Sequence, residues 1–363
     1  MPGAPDTDLV VLRPEGLYCP PGDFYIDPWR PVERAIITHG HADHARAGHR
    51  HYLAARDGCG VLRTRLGSIT LEALDYGQTL THHGVKLTLY PAGHVLGSAQ
   101  VRLEHQDRVW IVSGDYKTAG VRPDSGQADP TCAAFEPVAC DVFVTESTFG
   151  LPIYRWPEQS QVFGEINGWW AQNAAAGRAS VLYAYSFGKA QRILAGLDAA
   201  IGPILCHGAV ENLNAAYRAA GVRLPATGRV TEATPGRGRA GDEAAAGALV
   251  LAPPSAGGSS WLGRFGAYSD GFASGWMQVR GARRRQALDR GFVLSDHADW
   301  PGLLWAIEMS RAGRVIVTHG QSAPLVRWLR EQGLDAQAFE TEFGEEEAGA
   351  PGTQPAVQAA REV

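Results

Sequence analysis

The chain has 363 residues, 45% of them hydrophobic and 20% charged, and carries a formal net charge of −5. A length above 300 residues points to two domains, or to one domain carrying a large insertion. The acidic balance excludes a generally basic nucleic-acid coat, though not a local basic groove. No apolar run approaches the ~20 residues needed to span a bilayer.

Residues 1–6 show neither a basic segment nor an apolar one, so a secretory signal is not expected. The five cysteines (Cys19, Cys59, Cys132, Cys140, Cys206) are scattered and never form a Cys-x-x-Cys pair. That pattern fits reduced thiols in a cytoplasmic protein and removes cysteine from the metal-ligand candidates. Taken in chain order, apolar runs predict strands at residues 34–38, 85–90, 108–113, 141–145, 180–185, 248–252, 291–295 and 314–318. Helices are predicted at 188–200, 210–220, 301–312 and 323–332. Pro301 sits where a first helical turn tolerates it, with Asp299 as the N-cap. Strands alternating with helices indicate an α/β architecture. Residues 234–247, rich in Gly, Ala and Arg, read as a loop, and residues 345–363 as a disordered tail.

The densest chemistry lies in Thr38-His39-Gly40-His41-Ala42-Asp43-His44, directly after the apolar run at 34–37. Three imidazoles and a carboxylate at a strand end form a ligand set for Zn²⁺ and related dications. Four such groups at this spacing cannot all face one metal tetrahedrally, which suggests two adjacent metals. Three further strands deliver similar residues just past their ends: His94 after Gly93, Asp115 after Gly114, and His319 after Thr318. These residues fall in blocks 27–146 and 295–319, with almost none between. A catalytic domain interrupted by an inserted one is therefore expected, with divisions at 1–150, 151–287 and 288–344.

His39-x-His41-x-Asp43-His44, then His94 and Asp115, resembles the metallo-β-lactamase superfamily. Asp27 resembles the upstream Asp of that pattern. Thr145-Glu146-Ser147-Thr148, Ser295-Asp296-His297-Ala298-Asp299 and Thr318-His319-Gly320 resemble the motifs of its β-CASP nuclease branch. That branch includes RNase J, the pre-mRNA 3′-end endonuclease and Artemis-type DNA nucleases. Ser186-Phe187-Gly188-Lys189-Ala190-Gln191 and the run from Ser295 to Trp300 bring the layout nearest to bacterial ligase-associated DNA exonucleases.

The resemblance implies an αββα sandwich with an inserted β-CASP α/β domain. It implies one metal on His39, His41 and His94, a second on Asp43, His44 and His319, and Asp115 bridging both. Zn²⁺ is the expected ion and Mn²⁺ the alternative. Asp27 would orient a ligating imidazole rather than ligate. His297 would act as general acid, held by Glu146. Ser186 and Lys189, at a predicted helix start, and Arg283, Arg284 and Arg285 would hold nucleic-acid phosphates. For the arginines, a solvated helix face is an equally good reading. Trp261, Arg264 and Phe265 are weaker candidates for the same nucleic-acid contact, with simple packing as the alternative, and His49, His51, His82, His83, His105 and His207 read as structural or surface residues.

The function implied is trimming of DNA ends in repair beside a ligase, with no membrane partner. The alternatives are an RNA-processing nuclease, a non-catalytic binding subunit and a small-molecule hydrolase. Degraded ligands would mark the binding subunit, and none of the seven positions is substituted. The large insertion, Glu146 and His297 disfavour the small-molecule hydrolase.

Overall fold

A computed structural model describes residues 8–123, 126–230, 245–279 and 288–343. Among them the chain forms two compact units. The first takes the residues up to Arg155, Ala216–Val222 and those from Asp296 onward; the second takes Trp156–Ala215 and Arg223–Ser295.

The first unit holds two sheets. One runs in sequence order through β1 (Val11–Arg13), β2 (Gly16–Cys19), β3 (Phe24–Ile26), β4 (Arg34–Ile37), β5 (His51–Ala55) and β6 (Leu71–Leu74). The other contains β7 (Thr79–His82), β8 (Val85–Pro91), β9 (Ala99–His105), β10 (Arg108–Val112), β11 (Val142–Ser147), β18 (Arg314–Gly320) and β19 (Asp335–Ala338). Its spatial order is β19-β18-β11-β10-β9-β8-β7. Period-two alternation assigns the faces. Ile36, Leu53, Leu87, Leu89, Trp110, Val112, Val144 and Ile316 meet in one core between the sheets. Their sequence neighbours point outward. Ala35, Ile37 and Ala54 pack with Leu62 of α1 (Cys59–Leu66). Ile111, Phe143, Val315 and Val317 pack with α5 (Trp300–Ser310) and α6 (Ser322–Glu331). The layers are thus helix, sheet, sheet, helix. Asp299 caps α5 by accepting from Gly302 N at 2.9 Å.

The second unit is built on a six-stranded parallel sheet. Its strands are β12 (Ala179–Tyr183), β13 (Ile204–Cys206), β14 (Gly228–Arg229), β15 (Leu249–Ala252), β16 (Tyr268–Ala273) and β17 (Arg290–Phe292). They lie in the order β14-β13-β15-β12-β16-β17. Strands buried on both faces explain the unbroken apolar run Leu249–Ala252. Helices α2 (Gln159–Ala175), α3 (Lys189–Gly196) and α4 (Gly208–Ala219) connect or flank these strands. The chain is mixed α/β, as its sequence indicates.

Three differences from the sequence reading have local causes. The helix predicted over 188–200 stops at Gly196, because Leu197 turns extended and Asp198 Oδ1 takes Ala200 N at 3.0 Å. The strand predicted at 291–295 is β17, paired with β16 inside the second unit rather than beyond a division at 287. Most of the predicted loop and all of the predicted tail lie outside the described residues, as do Arg283, Arg284 and Arg285. Among the described residues no helix is long and apolar enough to cross a membrane.

One buried group makes the first unit acid-sensitive. Burial lowers His49 to about 4, outweighing the opposing pull of Asp27. The folded state thus resists protonation that the unfolded chain accepts near pH 6.5. Stability from this group is intact above pH 6.5 and is lost as pH falls toward 4. His49 Nδ1 accepts from Val32 N at 3.3 Å, a role an amide oxygen can fill. His49→Asn should therefore flatten the fall in Tm between pH 6.5 and 4. Parallel Tm-versus-pH curves for the two proteins would rule this out.

Candidate metal centre

Apart from His297, which follows β17 of the second unit's sheet, each site residue comes after or at the end of a strand of the first unit, and the backbone there is specialised. Asp27, after β3, adopts a left-handed φ of 45°, uncommon for a side-chain-bearing residue. Gly93 and Gly114 also have positive φ, and both precede site residues. A Cβ on Gly114 would lie 2.6 Å from Thr38 Oγ1, and one on Gly93 would lie 2.2 Å from Lys117 O. Only glycine allows the chain to bring His94 and Asp115 this close. Glu146 occupies the register shift between β11 and β18, where a bulge re-aims a side chain.

Hydrogen bonds fix the imidazole tautomers. Asp27 accepts from Thr38 N (2.7 Å), Thr38 Oγ1 (2.5 Å) and His44 Nδ1 (2.7 Å). Because Thr38 Oγ1 donates to Asp27, it must accept from His39 Nδ1, 3.0 Å away. The same device recurs at Thr318, whose hydroxyl donates to Thr145 O and accepts from His319 Nδ1 at 2.9 Å. His94 Nδ1 donates to Asp296 O at 3.0 Å. Four rings therefore carry a proton on Nδ1 and turn Nε2 inward, which in the neutral ring is a bare lone pair.

All four lone pairs converge on one carboxylate. Asp115 lies 3.4 Å from His39 Nε2, 3.4 Å from His44 Nε2, 3.8 Å from His94 Nε2 and 3.0 Å from His319 Nε2. His41 Nδ1 approaches His94 Nε2 at 3.0 Å, and Asp43 Oδ2 approaches His44 Nε2 at 3.5 Å. Among the described residues, the buried Nε2 atoms of His39 and His44 have no hydrogen-bond partner. Lone pairs aimed at a carboxylate, in a space closed to water, are costly unless a cation lies between. The donor set fits divalent metal.

Ligand atoms group accordingly. One set is His39, His41, His94 and Asp115; another is His44, Asp115 and His319; each lies within 4.8 Å, with Asp115 common to both. Asp27 also comes within that range of His39 and His44. Its two oxygens are already taken by three donors, which suits orienting better than ligation.

Electrostatics agree. Burial, then the neighbouring His44, hold His39 well below the usual imidazole range; burial and His297 do the same to His94. For His44, burial opposes charge, but Asp115, Asp43 and Asp27 outweigh it and raise it well above that range. Asp115 is held well below the carboxylate range, because His44 and His319 overcome its burial. A field that draws a proton onto His44 draws a dication more strongly.

Beside this centre, buried His297 sets Nδ1 against both oxygens of Glu146, at 3.1 and 2.9 Å. Glu146 also accepts from Tyr116 N (2.8 Å), Thr148 N (3.4 Å) and Thr148 Oγ1 (2.5 Å). The His297 ring lies 4.6 Å from that of His94. The structure thus brings together His39, His41, Asp43, His44, His94, Asp115, His319, Asp27, Glu146 and His297.

In the second unit, Ser186 follows β12, half-buried, its carbonyl taken by Gln191. Lys189 opens α3 but is fully buried, its ammonium 5.2 Å from the Tyr185 ring centroid. It is an enclosed cation, not one displayed on a surface.

Sequence reasoning missed Phe343. Its ring lies flat on His44 (centroids 4.5 Å, 7°) and edge-on to His319 (5.3 Å) and Trp29 (5.5 Å). Arg30 and Arg46 hold the adjoining Glu342. Groups that fix ligand rings are worth about 10- to 100-fold in metal affinity. Phe343→Ala should therefore weaken binding of one ion about tenfold, read by chelator competition, while Phe343→Tyr should not. Unchanged affinity in the Ala variant would reduce Phe343 to filler.

No protein-family model matches the chain. The chain is 32% identical over 348 residues to a protein named "Probable DNA ligase" from Opitutus terrae, covering 95% of this chain and 32% of that protein. It is 28% identical over 130 residues to cleavage and polyadenylation specificity factor subunit 3 of Dictyostelium discoideum, and 32% identical over 134 residues to endoribonuclease ysh-1 of Neurospora crassa. Each of those two matches covers 35% of this chain, and 16% and 14% of the relative. The chain thus spans about a third of the length of the first relative and far less of the others. In three dimensions it is similar to a protein of unknown function from Enterococcus faecalis, with a TM-score of 0.55 and 11% identity, covering 86% of this chain and 80% of that one. That likeness concerns the fold alone. The partial matches to cleavage-factor and endoribonuclease chains support the metallo-β-lactamase superfamily for this chain.

Proposed function

We propose that the chain is a two-metal phosphodiesterase of the β-CASP type that hydrolyses nucleic acid, preferring DNA trimmed from an end, in a repair role beside a ligase. One observation carries it: four tautomer-locked imidazoles aim their Nε2 lone pairs at Asp115. Two divalent cations held there, Zn²⁺ or alternatively Mn²⁺, would supply a nucleophile from water at neutral pH and offset charge building on the phosphate. His39, His41 and His94 would hold one, Asp43, His44 and His319 the other, and Asp115 both. Asp27 keeps His44 and, through Thr38, His39 in the ligating tautomer. His297, its Nδ1–H held by Glu146, would act as the imidazolium and give its Nε2 proton to the leaving oxygen.

Support for DNA and a ligase comes from the likeness to a named DNA ligase along 95% of the chain. The second reading, RNA processing, draws on the endoribonuclease matches over 35% of it. The metal ligands address phosphate and are blind to sugar, so the choice lies in groups that meet or exclude a 2′-hydroxyl. The test uses end-labelled single- and double-stranded DNA and RNA, plus closed circular DNA, with Zn²⁺ or Mn²⁺ added. End-dependent loss of linear DNA, with circles intact and RNA slower, is expected. Nicked circles would remove the exonuclease reading, and faster RNA cleavage would favour the second. Elemental analysis should find about two dications per chain; full activity with one would sink the binuclear centre.

A further inference from the structure

We infer that the second unit carries a nucleotide subsite of its own, at the carboxyl ends of β13 and β15, where a base of a single strand stacks on Trp261 and adjoining phosphates meet Arg229 and Arg264. This rests on the nucleic-acid reading above but concerns binding, not hydrolysis.

Topology opens the crevice. β13 and β15 are parallel neighbours. From β13 the chain passes through α4 to the edge strand β14; from β15 it crosses to β16, on the far side of β12. Neighbouring strands whose connections leave in opposite directions part at their carboxyl ends, where open parallel sheets receive ligands.

Chemistry gathers there. His207 immediately follows β13, tied by its N–H to Leu251 O at 2.8 Å. Its ring meets Trp261 edge-on at 5.0 Å, and the Arg264 guanidinium lies over one face of the same indole, 5.8 Å from its centroid, which leaves the other face for a base. Trp261 lies on the 3₁₀ turn Ser260–Arg264, half-buried, one side resting on Phe265. An indole so braced is a rigid platform for a base. Arg229, exposed at the end of β14, places Nη1 3.1 Å from where a Cβ on Gly208 would be. Gly208 opens the twelve-residue α4.

Arg229 donates through Nη2 to the neutral Asn212 Oδ1, which leaves its charge unbalanced, and a guanidinium at the positive end of a helix is unfavourable without an anion. The acidic residue of that first turn, Glu211, is engaged by Asn214 and Thr227 at 2.9 and 2.7 Å. Burial and the two arginines lower His207, which stays neutral and leaves the positive charge to the guanidinium groups. Two cations, a helix start and a braced aromatic match the phosphate and base of a nucleotide.

The test is fluorescence anisotropy of a labelled oligothymidylate with the full chain, in buffer without added metal, the strand's integrity checked on a gel. Trp261→Leu keeps an apolar side chain against Phe265 but removes the stacking surface, and should weaken binding about tenfold. Trp261→Phe should stay within about threefold of the unaltered chain. Arg229→Gln with Arg264→Gln should flatten the slope of log Kd against log salt by about 1.4. Wild-type affinity in Trp261→Leu, with an unchanged Tm, would overturn the subsite. Saturation by thymidine monophosphate at the strand's own affinity would overturn the strand as its occupant. A chain that binds through these residues yet cleaves nothing would leave the subsite standing and remove the nuclease.

Discussion

His297→Ala should cut turnover on a nucleic-acid substrate by about 10²- to 10⁴-fold while both metals stay bound. The size follows from the leaving group: an alkoxide expelled without a proton is a poor departure at neutral pH. Glu146 holds Nδ1 with both oxygens, so the ring cannot turn and Nε2 is the nitrogen presented. A substrate with a good leaving group, such as bis-p-nitrophenyl phosphate, needs less protonation and should lose much less. The competing role is ligation, since Asp115, Glu146 and His297 place ligand atoms within 4.8 Å of one another. Glu146 argues against it, because Tyr116, Thr148 and His297 already occupy its oxygens. Elemental analysis separates the two: loss of metal with His297→Ala would make it a ligand.

What could be read in the sequence followed from distance along the chain. The His39–His44 cluster is local, and its ligands sit directly after a buried strand, so their common direction was visible. His94, Asp115 and His319 repeat that setting. The pairing of His297 with Glu146 spans 151 residues, and only the motif resemblance suggested it. One signal was available and unused: Thr-His-Gly occurs at residues 38–40 and 318–320, and each hydroxyl fixes the ring that follows. Phe343 had no such mark, being one aromatic beside an acidic run. Helix α2 escaped because Gly164 and Gly168 interrupt it, although Val162, Ile166, Trp169, Trp170 and Asn173 form a buried helical stripe. The short strands β1 to β3 give too few residues for a period to register. His207 and Trp261 come from turns 54 residues apart, and only the strand order of the parallel sheet makes them neighbours.

The largest loss is expected at Asp115. Asp115→Ala should lower turnover by at least about 10³-fold, equivalent to ~4 kcal/mol of transition-state stabilisation, and reduce bound metal below two ions per chain. Asp115 alone lies within 4 Å of Nε2 on His39, His44, His94 and His319 among the described residues. Two dications a few ångströms apart repel strongly, and an anion shared between them offsets that repulsion most effectively. Without it, each histidine set keeps its geometry, because Asp27, Thr38, Thr318 and Asp296 O still fix the Nδ1 positions. The sites would remain formed while their joint occupation is lost, so the deficit should be one of metal content rather than folding. Asp115→Asn sharpens the point: it restores shape and one oxygen but not the charge, and should recover little. A variant that keeps two ions and activity within about tenfold would show that Asp115 does not hold the pair together.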